Sequence, residues 1–72
     1  MKVLSNAEEG SDVIVESVGC GRELKRRLSE LGIHVGSKLH ILKNDVSGPV
    51  IVKVKDYRLM LGRKQCGEIH IK

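Results

Sequence analysis

Apolar and polar residues alternate along most of this chain, and the alternation breaks at one place. In residues 12–18, Val13 and Val15 share one face by the two-residue period, with Ile14 and Glu16 on the other. Gly19-Cys20-Gly21 is a turn signal that ends this strand. Residues 22–31 then change period. Leu24, Leu28 and Leu31 fall at i, i+4 and i+7, a narrow apolar stripe among charged residues that form helices well. Gly32 stands where a helix closes in the left-handed conformation, and Gly36 marks a second turn of that kind. Alternation then resumes. Residues 38–43 put Leu39 and Ile41 on one face. A loop over 44–48 follows, and Pro49 opens a strand over 50–55, with Val50, Val52 and Val54 inward and Lys53 and Lys55 outward. Asp56 and its neighbours predict a short hairpin turn, with Asp56 as the residue that tolerates positive φ. Tyr57, Leu59 and Leu61 share the next inward face, and residues 68–72 give a last strand with Ile69 and Ile71 in and His70 out. The first ten residues read as a lead-in. Ser5-Asn6-Ala7-Glu8 has the spacing of a single capped helical turn, and Val3 and Leu4 are expected to tuck against the core.

Five short strands with one helix between the first and second predict a mainly β domain, a small antiparallel barrel or sandwich. Closure suits a chain with few other means of hiding strand edges. The 72 residues make one domain spanning 1–72, since a second core would not fit. Nine Val and six Ile within a 40% apolar composition agree with strands and exclude disorder. No apolar run approaches the ~20 residues of a membrane-spanning helix. The N-terminus has no secretory pattern, and two cysteines are too few for a disulfide scaffold, so a cytoplasmic protein is expected. Trp and Phe are absent and Tyr57 is the only aromatic. That removes both the stacking platforms of single-stranded nucleic-acid binders and the aromatic groove that reads Pro-rich peptides. A net charge of +4 is a modest bias that does not by itself argue for nucleic acid.

Gly10, then Arg27-Leu28-x-x-Leu31-Gly32-Ile33-x-x-Gly36, then Gly48-Pro49, then Cys66-x-x-Ile69-x-Ile71 follow an order and spacing that resembles the FeoA family, small proteins of bacterial ferrous iron transport. The resemblance runs from about Leu4 to Ile71. It implies an SH3-like β-barrel with one inserted helix over about residues 22–31. It also implies a cytoplasmic accessory or regulatory protein whose partner is the membrane transporter FeoB, through the transporter's cytoplasmic GTP-binding part. It implies no firmly established enzymatic activity, and no cofactor is expected. Two positions depart from the family pattern: Cys66 stands where Ala is usual, and Asp56 where Gly is common. The same fold also occurs as a C-terminal domain of metal-dependent repressors, and a free-standing chain favours the transport partner.

Two groups of residues are candidates for partner binding. The first is the basic helix face of Arg22, Lys25 and Arg26, which reads either as a contact for an acidic partner or anionic lipid near the transporter, or as a solvated face. The second is a set of apolar residues on the strand faces opposite the core: Ile14, Leu42, Ile51 and Met60. Either terminal segments cover them or they form a patch for a partner or a second copy. Arg27 flanks the leucine stripe. An arginine supplied in trans can stabilise GTP hydrolysis, but packing of its stem and pairing with Glu23 or Glu30 is the reading adopted. The His and Cys residues (Cys20, Cys66, His34, His40, His70) show no metal-ligand spacing, so no metal site is expected. Cys66 reads as a small core residue and Cys20 as an exposed, oxidisable thiol. No nucleophile elbow, phosphate-cradling glycine loop or convergent acid–base pair is present. The alternative kept open is a small barrel that binds nucleic acid, which carboxylates mixed among the bases disfavour.

Overall fold

A computed structural model describes residues 2–19 and 21–72, so the reading of Cys20 lies outside the described residues. Six strands form: β1 (Lys2–Val3), β2 (Asp12–Val18), β3 (Lys38–Asn44), β4 (Val50–Val54), β5 (Tyr57–Leu61) and β6 (Ile69–Ile71). A 3-10 turn covers Leu4–Asn6, helix α1 covers Arg22–Glu30 and a short helix α2 covers Arg63–Cys66. The strand order is β1-β6-β2-β3-β4-β5, antiparallel at every pairing.

What curls this sheet is β2. Its first half pairs with β3, Asp12 opposite His40 and Ile14 opposite Lys38. Its second half pairs with β6, Val15 opposite Ile71 and Val18 opposite Ile69, with a register shift between Val15 and Ser17. A bulge of this kind bends a strand and sharpens its twist. The strand thus joins the two halves of the sheet and turns their inner faces toward one core. Val13 and Val15 are buried on that inner side, and with them Leu39, Ile41, Val50, Val52, Val54, Leu61, Ile69 and Ile71, all from the alternation. No polar or charged residue is buried among the described residues.

Helix α1 closes as its sequence requires. Gly32 takes φ +89°, the Gly32 N–H donates to the Ser29 carbonyl at 3.0 Å, and the Ile33 N–H donates to the Leu28 carbonyl at 2.8 Å. These two bonds make a Schellman ending, and its two flanking residues, Leu28 and Ile33, are both buried in the core. Removing Leu28 from water contributes about 2 kcal/mol. Leu24 and Leu31 are only half-buried, so the stripe covers the barrel at one end more than along its length.

Four expectations need correction. The fold has a sixth strand, β1, and a second helix, α2. Two paired residues show no alternation, and one turn of Arg-Lys-Gln-Cys shows no apolar stripe. The lead-in turn spans Leu4–Asn6 rather than Ser5–Glu8 and has no side-chain cap; burial of Leu4 holds it instead. At the β4–β5 hairpin the positive φ falls on Lys55 (+55°), not on Asp56. The pairing of Val54 with Tyr57 leaves Lys55 and Asp56 as a two-residue loop whose first position carries the positive φ. Finally, Tyr57 is not in the core. It is exposed, and its hydroxyl donates to the Leu31 carbonyl at the end of α1, lying so close over Gly32 that a Cβ there would clash.

Candidate functional site

The outward face of β3, β4 and β5 is built in rows by strand register. Ile51 stands opposite Met60, and Lys53 opposite Arg58. His40 stands opposite Lys53 on the other side of β4, and Asp12 opposite His40. Between Ile41 and Lys43 the β3–β4 register shifts, so Leu42 is an extra residue beside Ile51. The bulge leaves both Leu42 and Lys43 exposed, where strict alternation would turn one of them inward. Leu42, Ile51 and Met60 therefore form one apolar strip. Met60 is 69% exposed and Leu42 38%, while Ile51, central in the strip, is half-buried. Ile14 does not join them. It pairs with Lys38 at the far end of the sheet, and the row of Asp12, His40, Lys53 and Arg58 lies between.

This face holds two shallow depressions that share Lys53. One, of about 350 Å³, is lined by Leu42, Lys53, Asp56, Tyr57 and Arg58. The other, of about 610 Å³, is lined by Asp12, Lys38, His40, Lys53, Val54 and Lys55. In the second, His40 Nδ1–H donates to Asp12 Oδ1 at 2.7 Å, and Lys38 Nζ lies 3.8 Å from Asp12 Oδ2. The hydrogen bond from His40, with the charge of Lys38, holds the Asp12 carboxyl below its ordinary 3.8. Lys43 pairs with Asp45 at 3.7 Å. Among the described residues, Lys53, Lys55 and Arg58 have no carboxylate within ion-pair distance.

Helix α1 presents a second surface. Arg22, Lys25 and Arg26 are all exposed. Arg22 and Lys25 border a depression of about 270 Å³ with Val18, Gly19 and Gly21. Arg27 is also exposed, and it forms no ion pair with Glu23 or Glu30, contrary to the pairing expected for it. It instead lines a depression of about 500 Å³ with Leu24, Glu23, Lys64, Gln65 and Glu68. The motif residues sort by place. Leu28, Ile33, Cys66, Ile69 and Ile71 are in the core, Gly32 and Gly36 (φ +93°) make turns, and Gly48-Pro49 leads into β4.

One constellation was invisible to spacing arguments. Arg63, on α2, donates from one terminal nitrogen to Asn44 Oδ1 at 2.9 Å, to the Gly48 carbonyl at 3.0 Å and to the Asp45 carbonyl. Its other nitrogen donates to the Ser5 carbonyl at 3.0 Å. Asn44 reaches the same segment, its side-chain amide donating to the carbonyls of Ser5 (3.1 Å) and Ala7 (2.6 Å), while its backbone N–H donates to Glu9 Oε2 at 2.8 Å. The pair fastens the N-terminal turn to the 44–48 loop and to α2. Ser5, the 44–48 loop and Arg63 are far apart in sequence, and no local pattern marks them.

The histidines and Cys66 remain. Among the described residues no group of three His, Cys, Asp or Glu side chains converges. His70, expected to face outward, is half-buried, and its Nδ1 is enclosed without a partner. Cys66 is fully buried, and burial pushes its thiol up to about 11. It is an inert core residue rather than a nucleophile.

A short, strongly curled sheet with its chain-order β3-β4-β5 meander, a helix inserted after β2 and a helical turn before the last strand is the SH3-like barrel. The chain belongs to the FeoA family: the FeoA domain matches residues 2–72. A protein of Methanocaldococcus jannaschii named as an Fe(2+) transport protein A is 40% identical over 63 residues, covering 88% of this chain and 76% of that one. An iron uptake regulatory protein, FeoA, superposes with a TM-score of 0.92 at 24% identity, over 99% of this chain and 95% of that one. The FeoA of Stenotrophomonas maltophilia, described as an SH3 domain protein and solved with zinc, superposes with a TM-score of 0.86 at 23% identity, over 100% and 91%. The fold alone extends to a longer manganese-dependent transcriptional repressor, of which the match spans 39% at 20% identity and a TM-score of 0.84. No helix of the described residues is long and apolar enough to cross a membrane.

Proposed function

We propose that this chain is an accessory protein of ferrous iron transport, acting in the cytoplasm by binding the cytoplasmic, GTP-binding part of an FeoB-type transporter. The match to the FeoA domain along residues 2–72 supports this reading most directly. The surface chemistry is compatible with it. The chain has exposed aliphatic residues on a rigid sheet and unpaired cations beside them, the materials of a protein contact. The candidate contact residues are Leu42, Ile51 and Met60 on the sheet and Arg22, Lys25 and Arg26 on the helix.

Titration calorimetry of the chain against the isolated cytoplasmic part of the transporter, with and without guanine nucleotide, tests this. Saturable binding at tens of micromolar or tighter is expected in at least one nucleotide state. No heat and no complex in either state at these concentrations rejects the transporter as the partner.

A further inference from the structure

The outward row of β3–β5 contains an arrangement that the fold does not need. Lys53 and Arg58 stand directly opposite each other on adjacent strands, and His40 flanks Lys53 from the other side. Like charges at directly opposed positions destabilise a sheet. Elsewhere on this face carboxylates stand beside the cations: Asp12, hydrogen-bonded to the His40 ring, faces Lys38, and Lys43 has Asp45. Lys53, Lys55 and Arg58 have no such partner among the described residues, although Asp56 lines the same depression as Lys53 and Arg58. Two residues along, about 7 Å by strand rise, the Ile51–Met60 pair begins the apolar strip that Leu42 completes. From β3 to β5 the face is about 10 Å wide, the breadth of one helix or one extended segment.

From this we infer that the outward face of β3–β5 is a docking surface for an acidic amphipathic segment of a partner protein. Aliphatic side chains of the segment cover Leu42, Ile51 and Met60, and its carboxylates lie between Lys53 and Arg58. A carboxylate there removes the repulsion that the free chain tolerates. The apolar strip beside the cations favours a peptide over a nucleic acid, since bases would need stacking surfaces and Tyr57 is the only aromatic residue. The α1 surface offers less apolar area beside its cations: Leu28 is buried and Leu24 packs against the core, and neither is among the exposed large hydrophobic residues. The inference rests on the reading of the chain as an interaction module, and it selects the sheet over the helix as the contact.

The test is a backbone amide NMR titration of the 15N-labelled chain. The probes are two ten-residue peptides, one alternating Leu and Glu, the other alternating Leu and Lys. The acidic peptide is expected to shift Leu42, Ile51, Lys53, Arg58 and Met60 and to weaken as salt rises. Binding should fall at least tenfold in Lys53→Gln/Arg58→Gln, which keeps the fold, and less than threefold in Arg22→Gln/Lys25→Gln/Arg26→Gln. Shifts confined to residues 22–27, equal binding of the basic peptide, tighter binding of a single-stranded RNA decamer, or no shift with the acidic peptide up to millimolar each overturn it. The transporter's cytoplasmic part is titrated separately. If it produces no shifts while the acidic peptide does, the transporter reading fails and the docking surface stands.

Discussion

Arg63 should be the most sensitive polar position in the chain. Its guanidinium makes four hydrogen bonds to Ser5, Asn44, Asp45 and Gly48, joining three segments that share no strand pairing with one another at that point. Arg63→Met keeps most of the stem and removes all four. A hydrogen bond from a charged donor is worth about 1.5–3 kcal/mol when buried. Arg63 is only half-buried, so the released carbonyls can be hydrated, and a total of about 2–3 kcal/mol is the reasonable expectation. A domain of this size is stable by roughly 4–11 kcal/mol, and each kcal/mol moves its melting temperature by about 4–8 °C. Thermal unfolding followed by circular dichroism should therefore show Arg63→Met melting about 10–20 °C below the parent. Arg63→Lys should recover less than half of that, because one ammonium cannot reach both the Ser5 carbonyl and the 44–48 loop. A double-mutant cycle with Asn44→Ala should give a coupling of about 1 kcal/mol, since both side chains meet at the Ser5 carbonyl. A melting point lowered by less than about 4 °C, or full recovery by lysine, refutes the clamp.

Other positions give smaller effects of defined sign. Lys55→Asn should stabilise by about 0.5 kcal/mol in urea denaturation, because Asn accepts the left-handed φ of +55° without the extra unfolded-state entropy of Gly. Tyr57→Phe should cost about 1 kcal/mol by the same assay, the hydroxyl being the fastener of the α1 end to the β4–β5 hairpin. Cys66→Ala, made in a Cys20→Ser background, should cost no more than about 1 kcal/mol at neutral pH. The folded thiol is raised to about 11 from an ordinary 9.0, so the unfolded chain deprotonates first. Its contribution is complete below pH 9 and is lost as pH rises toward 11, and the alanine variant should lack this part of the alkaline decline. Arg27→Lys should change transporter GTP hydrolysis by less than about threefold, where loss of an arginine finger costs 10³-fold or more.

The alternation of Val50-x-Val52-x-Val54 and of Val13-x-Val15 made the strands and the core legible, because each strand has one wet face. Helix α1 was legible down to its ending, since Gly32 is a residue whose backbone role is visible in its identity. What failed was local chemistry overridden by distant contact. Tyr57 sat on an inward position by period, yet the free carbonyl of Leu31 and the open space over Gly32 draw the ring outward. The positive φ went to Lys55 because the pairing of Val54 with Tyr57 fixes where the two-residue loop begins. Of the site, strand parity made Leu42, Ile51 and Met60 readable as outward residues. The separation of Ile14 from them was not readable, because it depends on the register between β2 and β3. Nor was the bulge at Leu42, which no residue type announces.

The five arginines show how far position, rather than charge, sets a role. Arg63 spends its donors on backbone carbonyls and belongs to the fold. Arg27 shares its depression with Lys64 but also with Glu23 and Glu68, so the formal charges lining it cancel. Arg22 and Arg26 project from a helix whose apolar stripe is turned inward, leaving them only screened long-range attraction to contribute. Arg58 alone sits opposite another cation and beside exposed aliphatic residues. A carboxylate brought there gains attraction from two positive groups and relieves their repulsion, while the neighbouring strip removes apolar area from water. The net charge of +4 is thus a poor guide to where a partner binds; the cations that stand beside exposed aliphatic residues, on the sheet, are the better one.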